Sequence, residues 1–458
     1  MRRPVGESMS GFKARLAQTT ILVLLGAGAA QAGGFQRGTA DTDVLYEAAP
    51  FSTRLGFTYV NPARGFERVN GVSGDYGDYT GTYRIPSAAL KLGNESVACV
   101  GNYVESFAAD GDYSSLPGGA QPAGFPGGSR VRDLNFDSDE ISGTCRVSYS
   151  TNGMRFSLLG GVFGEDFNFN GTSLAARNLG STLPGALQGA LASFGGQLLL
   201  PVALTADTSQ GFSAGYRIGA AFEIPEIALR AQVLYRSEVE HDDITGTGTL
   251  VASNNAFVQL ADGRQLSIPQ AAAFLAQRGI NIPPQLVSAL PTGGTVLASN
   301  LPAFQNTATS PQSLYINAQT GIAEGTLLLA SFRWTDWSTN RAVVTTVAGN
   351  SSVSPYYWDD GYTATIGIGR AFNENVSGSI SIGYDTGVST GAETTYTDLY
   401  TLSGGLALKN NDWAELRVGG LIGYWTDGEQ RRTSGAVFDA DVGNDWVYAA
   451  NVSLKLSF

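Results

Sequence analysis

The chain has 458 residues, 43% of them apolar and only 15% charged, against the about 25% charged residues of ordinary soluble domains. It holds 19 Tyr, 22 Phe and 59 Gly but a single His, and its 28 basic residues face 40 acidic ones for a net charge of −12. This balance excludes a disordered chain, argues against a nucleic-acid partner, and leaves little for His-based metal or acid–base chemistry.

Residues 1–32 read as a secretory signal that is cleaved on export. Arg2, Arg3, Lys13 and Arg15 precede an uncharged run at 19–30, which ends in Ala30-Gln31-Ala32. The run is too short to serve as an anchor across about 30 Å of hydrocarbon. Residues 33–52, with Phe35, Arg37, Asp41, Asp43, Tyr46 and Glu47, show no period. Such a segment is either an N-terminal hatch folded into a lumen or a loose tail.

From 53 to 458 no window of 18 apolar residues occurs, and the pattern alternates instead. The alternating segments are 53–61, 81–92, 96–107, 140–149, 154–168, 211–223, 227–240, 312–322, 326–338, 361–371, 376–384, 398–408, 413–426 and 446–458. In the last, Trp446, Tyr448, Ala450, Val452, Leu454, Leu456 and Phe458 interleave with mostly small or polar residues. A soluble sandwich also alternates, but aromatics at both ends of one face fit a strand between lipid and lumen. The spacing predicts an all-β fold: a transmembrane antiparallel β-barrel of about fourteen strands. Two long inserts, about 169–210 and 241–311, follow the fifth and seventh segments and so share the outer side. Leu187, Leu191 and Phe194 recur at helical spacing in the first, and Phe274 and Leu275 lie in an apolar, Pro-punctuated stretch of the second. These helical extracellular loops pack on each other as a lid, leave an apolar groove for a greasy ligand, or do both.

Cys99 and Cys145 fall on neighbouring segments of an exported chain, which admits a cross-strand disulfide or two inert thiols. Gly211-Phe212-Ser213-Ala214-Gly215 matches a nucleophile-elbow pattern, yet it reads as continuous strand, and the sole histidine, His241, belongs to a later one. No enzyme is expected. The acidic groups around Asp133–Glu140 and Asp439–Asp445 lack calcium-loop spacing, so no metal and no cofactor are expected either.

The chain resembles the FadL family of outer-membrane long-chain fatty-acid transporters over nearly all its mature length. The resemblance rests on Arg333-Trp334-Thr335-Asp336-Trp337-Ser338, on Tyr235-Arg236-Ser237-Glu238 with Gly246, and on Trp358-Asp359-Asp360-Gly361-Tyr362 leading to Gly383-Tyr384-Asp385. The mature start Gly34-Phe35-Gln36 is similar to the family's hatch. It departs in one respect: the family's hatch often carries an Asn-Pro-Ala, whereas Asn61-Pro62-Ala63 falls here at the end of the first strand. The resemblance implies a monomer in the outer membrane of a Gram-negative bacterium, in contact with lipid and lipopolysaccharide. Ligand capture between the outer loops, an inner pocket gated by the hatch, and lateral release are implied with it. The ligand is a long-chain fatty acid, or alternatively an aromatic hydrocarbon; a polar-solute porin is the more distant reading. Phe35 is carried over as a pocket contact. A buried carboxylate needs a cation, so Arg333 and Arg236 are the expected partners, with Arg217 and Arg370 further candidates, unless each pairs with a wall acid. Trp334 and Trp337 are placed either in the site or in an aromatic girdle.

Overall fold

The computed structural model describes residues 34–116, 130–411 and 413–458; the expected signal peptide at 1–32 lies outside the described residues. Strand alternation becomes the two faces of a wall. In β14 (Asp445–Ser457), Trp446, Tyr448, Val452 and Leu454 are exposed on the outer face, while Val447, Ser453 and Lys455 are buried on the inner one. The other strands follow the same rule. They are β1 (Phe51–Asn61), β2 (Tyr83–Gly93), β3 (Val97–Asp112), β4 (Arg130–Thr151), β5 (Met154–Asn178), β6 (Gln197–Ile224) and β7 (Leu229–Arg236), followed by β8 (Ser313–Ala323), β9 (Thr326–Thr335), β10 (Gly361–Ala371), β11 (Val376–Asp385), β12 (Leu399–Asn410) and β13 (Ala414–Trp425). Each pairs antiparallel with the next, and β1 pairs with β14 from Ser52↔Ser457 to Asn61↔Tyr448, closing a fourteen-stranded barrel. Closure leaves no free edge, which is what a sheet in hydrocarbon requires.

One end of the barrel carries tight connections, such as 152–153 and 324–325, and the other carries the long ones. Ring pairs mark both rims of the apolar belt. Phe51–Phe458, Trp413–Phe458 and Phe156–Phe222 lie at the turn end, and Tyr384–Tyr400, Tyr424–Trp446 and Phe332–Tyr362 at the loop end. Two such girdles delimit a lipid-spanning band. Among the described residues no helix is long and apolar enough to cross a membrane.

The two inserts differ from the helical expectation. β5 and β6 run on as a paired ribbon to Asn178↔Leu199, and residues 245–252 and 257–259 add strands along β6. Helix is confined to α1 (Gly185–Ser193), α2 (Ile268–Ala276) and α3 (Pro284–Ser288). The helical spacing of Leu187, Leu191 and Phe194 belongs to α1 and its C-terminal end, and β6 begins soon after, where Leu198, Leu199 and Leu200 are all covered. Above the membrane both ribbon faces are packed, so the alternation that marks a half-buried strand is lost. β7 is also shorter than expected. It ends at Arg236, and Val239–His241 turns inward to pair with Ala308–Ser310.

Candidate functional site

Residues 34–50 run inside the barrel. Val44 and Leu45 are fully buried against Ala89, Ala98, Val100, Leu159 and Leu234 on the inner faces of β2, β3, β5 and β7. Polar groups of this segment meet opposite groups on the wall. Asp41 pairs with Arg54, Asp43 with Arg230 at 2.9 Å and Glu47 with Lys455 at 3.1 Å. The Tyr46 hydroxyl donates to Gln232 Oε1 at 2.6 Å, and the Arg146 and Arg230 guanidiniums lie 4.6 and 4.2 Å from the Tyr46 ring centre. Lys91 Nζ donates to the Glu47 carbonyl at 3.0 Å. Buried charges are tolerable only when paired in this way.

Toward the loop end Phe35 sits in a box of rings. Its centroid is 4.5 Å from Trp358, 4.6 Å from Phe136, 5.2 Å from Tyr356 and 5.8 Å from Tyr396, and Trp337 lies 6.1 Å away. Edge-to-face packing of this kind adds to the burial of apolar area. Trp358 Nε1 donates to Glu393 at 2.8 Å. Burial pushes the Tyr356 and Tyr396 phenols up, which keeps both neutral. Arg37, next to the box, lies 3.7 Å over the Tyr83 ring and donates from Nη2 to the Tyr396 hydroxyl at 3.4 Å. Gly34 adopts φ +59 with Trp337 against it, where a β-carbon would lie 2.7 Å from the indole.

Below the box, beside the threaded segment, is a cavity of about 260 Å³. Arg54, Arg217, Arg230, Arg236, Arg333 and Arg417 line it, with Asp41 and Asp43 as its acids. The arginines are not equivalent. Arg217 pairs with Glu140 and Arg236 with Glu165, Arg54 and Arg230 hold the two hatch aspartates, and Arg417 binds Glu415 at 2.5 Å. Arg333 is 5% exposed and lies 4.8 Å over the Tyr315 ring, and its Nε and Nη1 have no hydrogen-bond partner among the described residues. The buried carboxylate of Asp385 on β11 acts on this guanidinium through space without an ion-pair contact.

The wall is interrupted once beside the same segment. β2 and β3 pair from Gly93↔Ala98 up to Ser87↔Val104 and then part at Pro86, which has no N–H to offer. Above this point the edge of β3 is taken by the threaded segment: Arg37 N donates to the Ser106 carbonyl at 2.9 Å and Ala108 N to the Phe35 carbonyl at 3.0 Å. The wall closes again where Gly81 N donates to Asp110. Gly38 passes so close that a β-carbon there would lie 2.4 Å from Val104 Cγ2 and 2.8 Å from the Glu105 carbonyl. Cys99 and Cys145, directly opposed on β3 and β4, form a disulfide on the outer face below the gap.

The sequence-predicted residues thus fall into three groups. Phe35 and Trp337 share the aromatic box, and Arg236 and Arg333 line the cavity beneath it. Leu187, Leu191 and Leu275 are buried in the cap formed by α1, α2 and the β5–β6 ribbon, where Phe194 and Phe274 meet at 5.4 Å under Arg278. Trp334 is not brought to the lumen. Strand parity turns it to the outer face, where Nε1 donates to Asp360 at 2.9 Å, and the same parity leaves Arg370 exposed outside. Tyr356 and Tyr396 were missed because they come from loops, where no periodicity marks an inward side chain, and Trp358 stands in a recognised motif that did not assign it to the site. Ser213 lies in mid-strand β6, where its hydroxyl accepts from Gln210 Nε2 at 3.1 Å, and it has no histidine partner among the described residues. Truncating Leu275, 1% exposed, removes a central cap contact. Leu275→Ala is expected to destabilise the cap by about 2–5 kcal/mol, read as faster proteolysis within 253–295 while the barrel stays heat-resistant.

A closed barrel with lipid-facing girdles, an internally threaded N-terminal segment and an apolar compartment above a cationic cavity defines a lumen-plugged transmembrane β-barrel. Its fold is that of the FadL-type barrels. A solved FadL homologue of Pseudomonas aeruginosa is 14% identical, with 95% of this chain and 98% of that chain covered at a TM-score of 0.61. The toluene transporter TodX of Pseudomonas putida is 12% identical, with 95% and 99% covered at 0.59, and the monoaromatic hydrocarbon channel CymD 14% identical, with 95% and 98% covered at 0.58. No protein-family model and no curated relative matches the chain.

Proposed function

We propose that this protein is an outer-membrane transporter for diffusive uptake of hydrophobic compounds, chiefly long-chain fatty acids. The observation that carries this reading is the stacking of an apolar aromatic compartment on a cavity in which Arg333 Nε and Nη1 have no acceptor among the described residues. An amphipathic acid matches both halves. Each buried CH₂ contributes about 0.8 kcal/mol, and the carboxylate supplies the missing acceptor. The loop end faces outward, the cap of α1, α2 and α3 is the first apolar landing surface, and residues 34–50 are the hatch. Ligand enters where Phe35 now sits and leaves sideways through the β2–β3 gap into the lipid once the hatch edge lets go. The protein acts as a monomer after removal of residues 1–32, with lipid and lipopolysaccharide around its wall.

A second reading, uptake of aromatic hydrocarbons, is favoured by one observation: the Phe35 ring makes the contacts a benzene-sized ligand would make. Uptake of labelled oleate and toluene by cells lacking their own transporter separates the two. Oleate uptake that rises with expression of this chain supports the first, and toluene alone the second. Neither, together with a steady conductance for small polar solutes, makes the protein a porin.

A further inference from the structure

Glu165 on β5 is fully buried and is the meeting point of three elements. Its Oε2 accepts from Ser106 Oγ at 2.8 Å and is paired with Arg236, and its Oε1 lies 3.6 Å from Nε2 of His241. Ser106 is the residue skipped in the β3–β4 register, between Glu105 and Phe107, and it sits at the same level as the β2–β3 gap. A bulge of this kind bends a strand out of its sheet and re-aims its edge. The Ser106 carbonyl is also the acceptor for the hatch residue Arg37. One carboxylate therefore holds the bulge from below while the hatch holds it from the side.

The same carboxylate is linked to the ligand cavity. Arg236 lines that cavity beside Arg333, and it is the cation paired with Glu165. Glu140 and Arg217 complete a cluster of two arginines and two glutamates. An anion arriving in the cavity competes with Glu165 for Arg236. A neutral molecule does not.

We infer that Glu165 is a positioning residue for the β2–β3 gap: through Ser106 it holds the bulged edge of β3 against the hatch, and an anionic ligand releases that hold by drawing Arg236 away. The inference rests on the proposed lateral exit and on a carboxylate ligand. The test is amide hydrogen exchange of the full-length protein in lipid nanodiscs. Ser106→Ala leaves the four charges intact and removes the link to Glu165 together with the hydroxyl's contact to the Ser138 carbonyl at 3.0 Å. It is expected to raise exchange in peptides covering 35–38 and 105–109 roughly tenfold, the usual scale of one charge-assisted hydrogen bond, with 97–104 unchanged. Oleate added to the parent protein is expected to raise exchange at 105–109, and oleyl alcohol is not, a ligand response that a merely structural contact lacks. Glu165→Gln serves as a second variant, and in that background Ser106→Ala raises exchange by less than it does in the parent, the remainder belonging to the Ser138 contact. Unchanged exchange at 35–38 and 105–109 in Ser106→Ala, or equal responses to acid and alcohol, overturns the inference. Raised exchange with unaltered oleate uptake leaves the latch standing and removes the lateral exit instead.

Discussion

Arg333→Met is expected to weaken oleate binding by about 1.5–3 kcal/mol, roughly ten- to a hundredfold, while leaving the affinity for oleyl alcohol within a factor of about two. The reasoning is local. Arg333 is buried, lies over Tyr315, and has two guanidinium nitrogens with no acceptor among the described residues, so its desolvation is offset only through space, by Tyr315 and the buried Asp385. Replacing such a cation by an apolar side chain of similar length relieves that cost, and thermal stability should stay level or rise. Arg236 makes the opposite case in the same cavity. It holds Glu165 and approaches Glu140, so Arg236→Met strands buried carboxylates and should cost about 3–5 kcal/mol of stability. The pair of variants separates ligand recognition from structure by isothermal titration and thermal melts. Equal oleate affinity in parent and Arg333→Met would assign the guanidinium to the wall alone.

The contrast between these two arginines also marks how far the sequence can be read. Parity places Arg333 inward, because a strand in lipid exposes one face to hydrocarbon and the other to the lumen, and the β9 pattern Ser331, Arg333, Thr335 against Phe332, Trp334 leaves no choice. Arg236, by contrast, was a candidate by residue type alone, like Arg370, which faces outward. What parity cannot supply is the partner across the lumen. Glu165 on β5 is two strands away from its partner Arg236 on β7 and was not singled out, so the paired and unpaired arginine looked alike in sequence. The barrel itself was legible from the fourteen alternating segments, as was the pairing potential of Cys99 and Cys145, whose strands are neighbours. The aromatic box was half legible: Phe35 and Trp337 stand in recognisable motifs, while Tyr356 and Tyr396 sit in irregular loops that only tertiary packing aims inward. The upper ribbons failed for a related reason, since strands covered on both faces lose the period-two signal and imitate a helix.

Removing residues 35–47 is expected to turn the plugged barrel into a conducting and anion-selective pore. Three hatch acids, Asp41, Asp43 and Glu47, neutralise Arg54, Arg230 and Lys455 on the wall. Their loss leaves the cavity side of the lumen lined by Arg54, Arg230, Arg333 and Arg417, although the chain as a whole carries −12. A positive lumen with low-dielectric walls raises the local concentration of anions and excludes cations, an effect that salt screens over about 10 Å at 0.1 M. A fourteen-stranded barrel freed of its filling is wide enough to conduct water. Planar-bilayer recordings should therefore show steady channels whose reversal potential in a potassium chloride gradient follows chloride, most strongly at low salt. Gly38→Val reaches the same state by a gentler route. Its added methyl groups meet Val104 and the Glu105 carbonyl at distances no packing absorbs, so the 35–37 edge must leave β3. That variant should show a smaller, flickering conductance with the same selectivity, because Asp43 and Glu47 still tether the lower hatch. Channels no larger than those of the parent in both variants would mean that residues 34–50 do not seal the lumen.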